Sequence, residues 1–302
     1  MRGASCFRTS IFIACIRRFS LRPRELAQIN QNMYLKYFTL DEMPFSITPD
    51  PRFLYYTRHH QEAYDHLLYG ITQRKGFIEL TGEVGSGKTT LCRALLTKLG
   101  DKVRTALILN PTFSETQLLR SMLNDFGLSP PISDRLAYVE CLNAFLLDCY
   151  HKGINVALLI DEAQNLAPGV LEQIRLLSNL ETDQHKLIQI VLCGQPELKR
   201  RLNQPDLRQL RQRITVRYNL PLLTYRETGA YIKHRIYVAG PYSKVSFSRS
   251  ATKAVHRYAG GCPRLINAVC DNALLAAYVF GKQKVSSYCV KKAIHQLEGL
   301  PL

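Results

Sequence analysis

Long apolar runs are missing from these 302 residues. The run nearest the start, Ile11 to Ile16, spans six residues. A membrane-crossing helix needs roughly 18 or more, and even a secretory signal core needs about 7–15. Nothing here is expected to span a bilayer. Cysteines at metal or redox spacing are also absent: the nine present are odd in number and no two form a CxxC pair. That speaks against a disulfide framework and a zinc site. Cys92, Cys193 and Cys270 lie in apolar runs, where reduced thiols act as small hydrophobes and suit a reducing cytoplasm. Internal repeats and low-complexity tracts are lacking as well. Acids are scarce, 24 Asp and Glu against 40 Lys and Arg, for a net charge of +16. Such a balance favours anionic partners: nucleotide, nucleic acid or an anionic membrane face.

With 46% apolar and 21% charged residues, the chain reads as a globular protein with a substantial core. Six arginines and a single acid, Glu25, stand in residues 1–32 and supply +5 of the net charge. This segment reads as a leader that is disordered or precedes the true start, translation beginning at Met33. From Phe38 to Pro51 the Pro-rich stretch "DEMPFSITPDPRF" is expected to be irregular. A helix is predicted over His59–Gln73. Short β-like runs then recur at "GFIEL", "VRTALIL", "NVALLI", "LIQIVLC" and "RITVRYNL". Helices are predicted between them at Thr89–Lys98, Ser114–Phe126, Asp134–Tyr150 and Gly169–Leu180. Alternation of this kind, with strands apolar on both faces, predicts a parallel five-stranded sheet covered on two sides. After Pro221 the pattern is helical only: Tyr225–Val238, Ser248–Ala259, Pro263–Phe280 and Ser287–Leu297. We therefore expect an α/β core over 33–220 and a small all-helical lid over 221–298.

The chemistry starts at "GEVGSGKTT", residues Gly82, Glu83, Val84, Gly85, Ser86, Gly87, Lys88, Thr89 and Thr90. Its first eight residues match G-x-x-x-x-G-K-[ST] between a β-like run and a helix-like run, the setting in which that motif cradles phosphates. Glycines let backbone N–H groups curl around phosphate oxygens, and the following helix adds its positive end. Lys88 is expected at the β- and γ-phosphates, and Thr89 at Mg²⁺. In "VALLIDE" the apolar run ends in two carboxylates at a strand's C-terminal edge, where open parallel sheets bind ligands. Asp161 is the expected second metal anchor and Glu162 the base that polarises a water. Gln195, at the end of "VLCGQ", is expected between the acidic positions. In "PDLRQLRQRITV", Arg213 and then Arg211 are candidates for a finger reaching a neighbouring subunit's γ-phosphate. In "GGCPRLIN", Pro263 suits a first helical turn and fixes Arg264 near a helix start.

Taken together, "PFSITPDPRFLY", "TGEVGSGKTTLCRALL", "LLIDEAQNL", "LSNLET", "GQPEL", "LRQRI" and "GGCPRLIN" resemble an AAA+ ATPase. More narrowly they resemble the ExeA/GspA-like (general secretion pathway protein A) family, which includes ATPases of pilus and exopolysaccharide loci. The resemblance runs over roughly 34–298 and implies a three-layer P-loop NTPase core with a helical lid. It implies ATP and Mg²⁺ as ligands, Arg264 as a lid sensor, and "PFSITPDPRF" along the adenine side. It also implies ATP hydrolysis driving conformational or assembly work in an envelope secretion or pilus-type system. The setting would be the cytoplasm or the inner-membrane periphery, with homo-oligomers formed through the finger. Long members of the family continue into a transmembrane helix and a periplasmic peptidoglycan-binding domain. This sequence stops at Leu302; in a secretion role a membrane-anchored partner is expected to supply the anchor, the alternative being a soluble paralogue. A second departure is Glu79, an acid inside the expected central strand.

Two other readings stay open. Transposition helpers and origin-recognition ATPases share the Gly-x-Pro-Arg lid motif, and the body is basic; against DNA binding, no helix-turn-helix or zinc module follows the lid. The third is a nucleotide-gated switch with negligible turnover, against which Glu162 argues.

Overall fold

The computed structural model describes residues 34–109, 111–129, 134–182 and 185–299; the leader 1–32 and the expected start at Met33 lie outside them. After a helical turn at 34–38, the α/β unit runs α1 (Arg58–Thr72), β1 (Phe77–Gly82), α2 (Lys88–Leu99), β2 (Val103–Ile108), α3 (Glu115–Asp125) and α4 (Arg135–His151). It continues with β3 (Asn155–Ile160), α5 (Pro168–Leu177), β4 (Gln189–Gly194), α6 (Pro196–Leu202), α7 (Arg208–Arg213) and β5 (Ile214–Leu220). The five strands are parallel in the order β2-β3-β4-β1-β5. This order places β4 between β3 and β1, so the segments after those three strands emerge side by side.

Strand alternation sorts the core into two faces. Val156, Leu158 and Ile160 of β3 join Ile190 and Leu192 of β4 beneath α3, α4 and α5, which contribute Leu119, Leu142 and Ile174. Ala157, Leu159, Val191 and Cys193 face the other way, onto Leu67 and Ile71 of α1 and Leu91 and Leu95 of α2. Both faces are dry, which accounts for the continuous apolar runs in the sequence. Side-chain caps begin several of the helices. Ser114 and Gln117 form a reciprocal capping box at α3, and Thr57 accepts from the His60 amide at α1.

The C-terminal helices are α8 (Tyr225–Ala239), α9 (Arg249–Ala259), α10 (Pro263–Val279) and α11 (Ser287–Leu297). They match the predicted helices to within a residue at each end. Between them, β6 (Ser246–Phe247) and β7 (Lys284–Val285) form a two-residue parallel ladder that the helical pattern did not predict. Residues 34–53 were expected with the sheet. Their buried side chains Tyr34, Phe38, Phe45 and Phe53 instead share one hydrophobic cluster with Ile232, Val255, Ile266 and Val290 of the helical unit. The N-terminal stretch is thus a strap laced onto the lid.

Glu79 gains a physical explanation. It lies opposite Arg217 in the β1–β5 register, 3.3 Å from that guanidinium, and is nearly fully buried. Burial pushes its carboxyl above the usual glutamate range, with Arg217 and Lys199 pulling the other way.

Candidate functional site

At the end of β1 the backbone enters left-handed conformations at Gly85 (φ +74) and Gly87 (φ +104), which few side chains tolerate. Gly87 then starts α2 without a side-chain cap, leaving first-turn N–H groups for an external acceptor. The Ser86 hydroxyl is buried in this turn with no hydrogen-bond partner. An orphaned buried donor beside the uncapped first-turn amides of α2 is what a phosphate oxygen would satisfy. Lys88 is 6% exposed, and its ammonium donates to the carbonyls of Gly82 (2.8 Å) and Glu83 (2.9 Å). Burial lowers its pKa from the ordinary lysine value, while Asp161 and Glu162 oppose the shift.

Asp161 follows β3 and is tied to β2 by its amide, which donates to the Ile108 carbonyl at 2.8 Å. Its carboxylate accepts from the Thr89 hydroxyl through one oxygen and from the Glu162 amide (2.9 Å) through the other. A hydroxyl and a carboxylate side by side fit Mg²⁺, which takes few protein ligands and keeps several waters. Among the described residues no cluster of three or more His, Cys, Asp or Glu could hold a metal by itself. Glu162 adopts φ +52, a left-handed conformation that costs a non-glycine residue roughly 1–2 kcal/mol. Its carboxylate accepts from two amide side chains, Gln164 and Gln195, the latter at 2.9 Å. Gln164 in turn accepts from the Gln195 backbone N–H at 3.1 Å, so the segments after β3 and β4 clasp each other. Gly194 permits the clasp: a Cβ there would stand 2.9 Å from the Gln164 side-chain oxygen.

A cavity of about 340 Å³ opens between this turn and the lid. Its walls include Val84, Gly85, Ser86, Gly87, Lys88, Thr89, Thr90 and Glu162 from the core. Strap residues 46–50, His60 of α1 and lid residues Tyr231, Arg235, Arg264 and Asn267 also line it. Arg264 reaches the turn directly: its amide donates to the Gly85 carbonyl at 3.3 Å, and the Cys262 thiol lies 3.2 Å from the Val84 carbonyl. Of the residues singled out from sequence, Gly82 and Glu83 lie outside this lining and accept from Lys88 through their carbonyls, and Asp161 and Gln195 are joined to Thr89 and Glu162. Arg211 and Arg213 do not reach the cavity of their own chain. Arg213 donates to the Ser178 hydroxyl at 2.7 Å, and Arg211 to Asn203 at 3.4 Å.

Four participants escaped the sequence reading. Arg235, 6% exposed, donates to the carbonyls of Pro44 and Ser46 (3.3 Å for the latter) and to the Tyr231 hydroxyl (3.1 Å). Its guanidinium also stacks 4.6 Å over the Phe53 ring, fastening the strap to the lid. A polar i, i+4 pair, Tyr231 and Arg235, within a helix was the available signal. His60 packs beneath the phosphate turn, its ring 2.7 Å from the Thr57 hydroxyl, and burial holds its pKa below the ordinary histidine value. Gln164 stood in plain view two residues after Glu162, with only its geometry hidden.

The AAA domain family matches residues 71–202. General secretion pathway protein A from Aeromonas hydrophila is 45% identical over 269 residues, covering 89% of this chain. The chain spans 49% of that relative's length. Among solved structures, Aeropyrum pernix ORC2 superposes with a TM-score of 0.62 at 19% identity, covering 86% of this chain and 75% of that one. Cdc6p from Pyrobaculum aerophilum gives 0.63 at 18% identity over 82% and 71%. At these identities the two structures speak for the fold alone.

Proposed function

This chain belongs to the AAA ATPases and is a relative of general secretion pathway protein A, and on that premise we propose that it hydrolyses ATP with Mg²⁺ to drive conformational work in an envelope secretion or pilus-type assembly. The observation that carries the proposal is the convergence, at the ends of adjacent strands β1, β4 and β3, of Lys88 and Thr89, Gln195, and Asp161 with Glu162. Phosphoryl transfer needs charge, position and an oriented nucleophile, and these residue types supply them.

Lys88 would exchange its two backbone carbonyls for phosphate oxygens, and the Ser86 hydroxyl would gain the acceptor it lacks. Thr89 and Asp161 would hold the metal; Mg²⁺, when bound, supplies charge neutralisation at the β- and γ-phosphates. Glu162 would take the proton of the attacking water, with Gln195 and Gln164 holding its carboxylate until then. Arg264 would report the γ-phosphate to the lid. Arg213, with Arg211 beside it, would act on the site of a neighbouring copy, which makes the working form a homo-oligomer. In this reading the protein works in the cytoplasm at the inner-membrane periphery, beside a membrane-anchored partner. Among the described residues no helix is long and apolar enough to cross a membrane.

The test is ATP turnover per protomer across a wide range of protein concentration, with Lys88→Ala and Arg213→Ala alongside. Turnover that rises with concentration and vanishes in both variants supports the proposal. Concentration-independent turnover with a normal Arg213→Ala removes the finger, and tight ATP binding without turnover means a nucleotide-gated switch. The net charge of +16 also favours a DNA-associated reading. DNA affinity that falls steeply with salt would support that alternative, and no binding at low salt would end it.

A further inference from the structure

A second cavity, of about 560 Å³, opens on the lid on the far side of α8 from the nucleotide cavity. Its floor is apolar: Ile232, Ile236 and Val245 are buried there, and Phe247 lies beside them. Its rim is cationic, with exposed Arg226, Lys233 and Arg249, and no carboxylate lines it. None of those three cations is in a salt bridge among the described residues. The imbalance is regional: residues 228–270 carry seven Lys or Arg and no Asp or Glu. The one acid just ahead, Glu227, is spent on capping Thr224. Tyr237, 66% exposed, stands at the edge. Between the cations, Gly229 leaves the hollow open, a Cβ there meeting nothing nearer than Thr252 at 3.5 Å.

We propose that this hollow is a docking site for an acidic, amphipathic segment of a partner protein, which would seat an apolar side chain on the floor and place carboxylates against Arg226, Lys233 and Arg249. Unpaired cations around an apolar floor are complementary to such a segment and reject a basic or wholly polar one. Nucleic acid is the lesser fit: a single strand wants an extended basic groove with stacking platforms, whereas the cations here ring one short apolar hollow. Through α8 the occupant would also sense nucleotide, because Tyr231 and Arg235 on the same helix line the other cavity. Linkage then makes each ligand alter the other's affinity by the same factor.

The experiment uses the full chain on an immobilised peptide array in which net charge and apolar content vary independently. Fluorescence anisotropy on the best binders follows, with a single-stranded oligonucleotide as competitor. Retention that needs both acidity and an apolar residue is expected. It should weaken roughly tenfold or more in Lys233→Glu with Arg249→Glu, and equally in the uncharged plug Gly229→Leu. Thermal melts and ATP turnover of these variants report whether they are folded. The proposal falls if retention ignores acidity, if charge alone suffices and Gly229→Leu binds normally, or if the oligonucleotide displaces the peptides at lower concentration. Absence of any acid-dependent retention overturns it as well.

Discussion

Two adjacent glycines separate lid geometry from lid chemistry without touching a charged group. Gly260 ends α9 at φ +57, and a Cβ added there would meet nothing within 4 Å. Gly261 follows at φ +83, but its Cβ would lie 2.0 Å from the Leu223 carbonyl oxygen and 3.0 Å from the Leu223 nitrogen. That contact cannot relax by a side-chain rotation, because it is backbone against backbone. Gly260→Ala should therefore cost only left-handed strain, about 1–2 kcal/mol. Gly261→Ala bears the same strain and must also rotate the turn away from Leu223, breaking the Leu223 N–H bond to the Gly261 carbonyl (3.0 Å). Cys262 and Arg264 would leave the phosphate turn with it, for a total of about 3–5 kcal/mol. The assay is paired thermal unfolding with and without ATP and Mg²⁺, together with turnover. Gly260→Ala should melt a few degrees low, about 2–4 °C per kcal/mol, and keep its stabilisation by nucleotide. Parent protein should gain about 2.7 kcal/mol at a hundredfold excess over Kd, and Gly261→Ala should lose most of that gain and its turnover. Equal behaviour of the two variants would refute the argument that the turn's close approach to Leu223 is what aims Arg264.

Three further outcomes follow from the geometry. Glu162→Gln should bind ATP as the parent does, seen as an undiminished thermal shift, while turnover falls by about 10²–10⁴-fold; a mild loss would assign water activation elsewhere. Glu79→Gln tests the buried acid of β1, whose folded pKa is raised above its unfolded value. A raised carboxyl pKa means the folded state holds the proton more tightly, so ionisation costs stability as pH rises through the folded value, and costs nothing below the unfolded value near 4.5. The variant should melt above the parent at pH 7 and level with it at pH 4, and a constant offset would reject desolvation as the dominant cause. Cys92 and Cys193 stand with their sulfurs 3.2 Å apart, and the hydrogen bond with Cys92, together with burial, pushes the Cys193 thiol well above its ordinary range. Both should resist aromatic disulfide reagents at neutral pH until the chain unfolds; rapid labelling of native protein would show that α2 opens readily from β4.

The sheet was legible because its inner strands are short, mostly apolar runs bounded by turn residues, and the phosphate turn because its glycines mark backbone that other residues avoid. Helices α6 and α7 were missed for a physical reason. At seven and six residues they are too short for a periodic pattern to separate them from loop. The strap was misassigned because sequence proximity to β1 says nothing about which cluster Phe45 and Phe53 fill. Their partners lie some 180–245 residues away, in α8 to α11. Arg235 was hidden by its surroundings: in a segment rich in cations, one buried arginine looks like the exposed ones. Glu79 read as an anomaly because strand patterning is blind to the register that sets Arg217 opposite.

That strap changes how the cavity must work. The phosphate end is built by the core, through β1, α2 and Asp161, whereas the opposite wall comes from residues 46–50, fastened to α8 by Arg235. Arg264, on α10, approaches the phosphate end from the same lid-side cluster. A ligand spanning the cavity would therefore meet the core and Arg264 at one end and the strap at the other. Any change at the γ-phosphate that moves Arg264 moves the strap too, because Phe53, Ile232 and Ile266 share one packed cluster. Packed clusters shift as units rather than deform, so in the proposed function the lid with its strap would move as one element when nucleotide binds. The hollow on the far face of α8 belongs to that same unit, so a partner seated there would be carried with it.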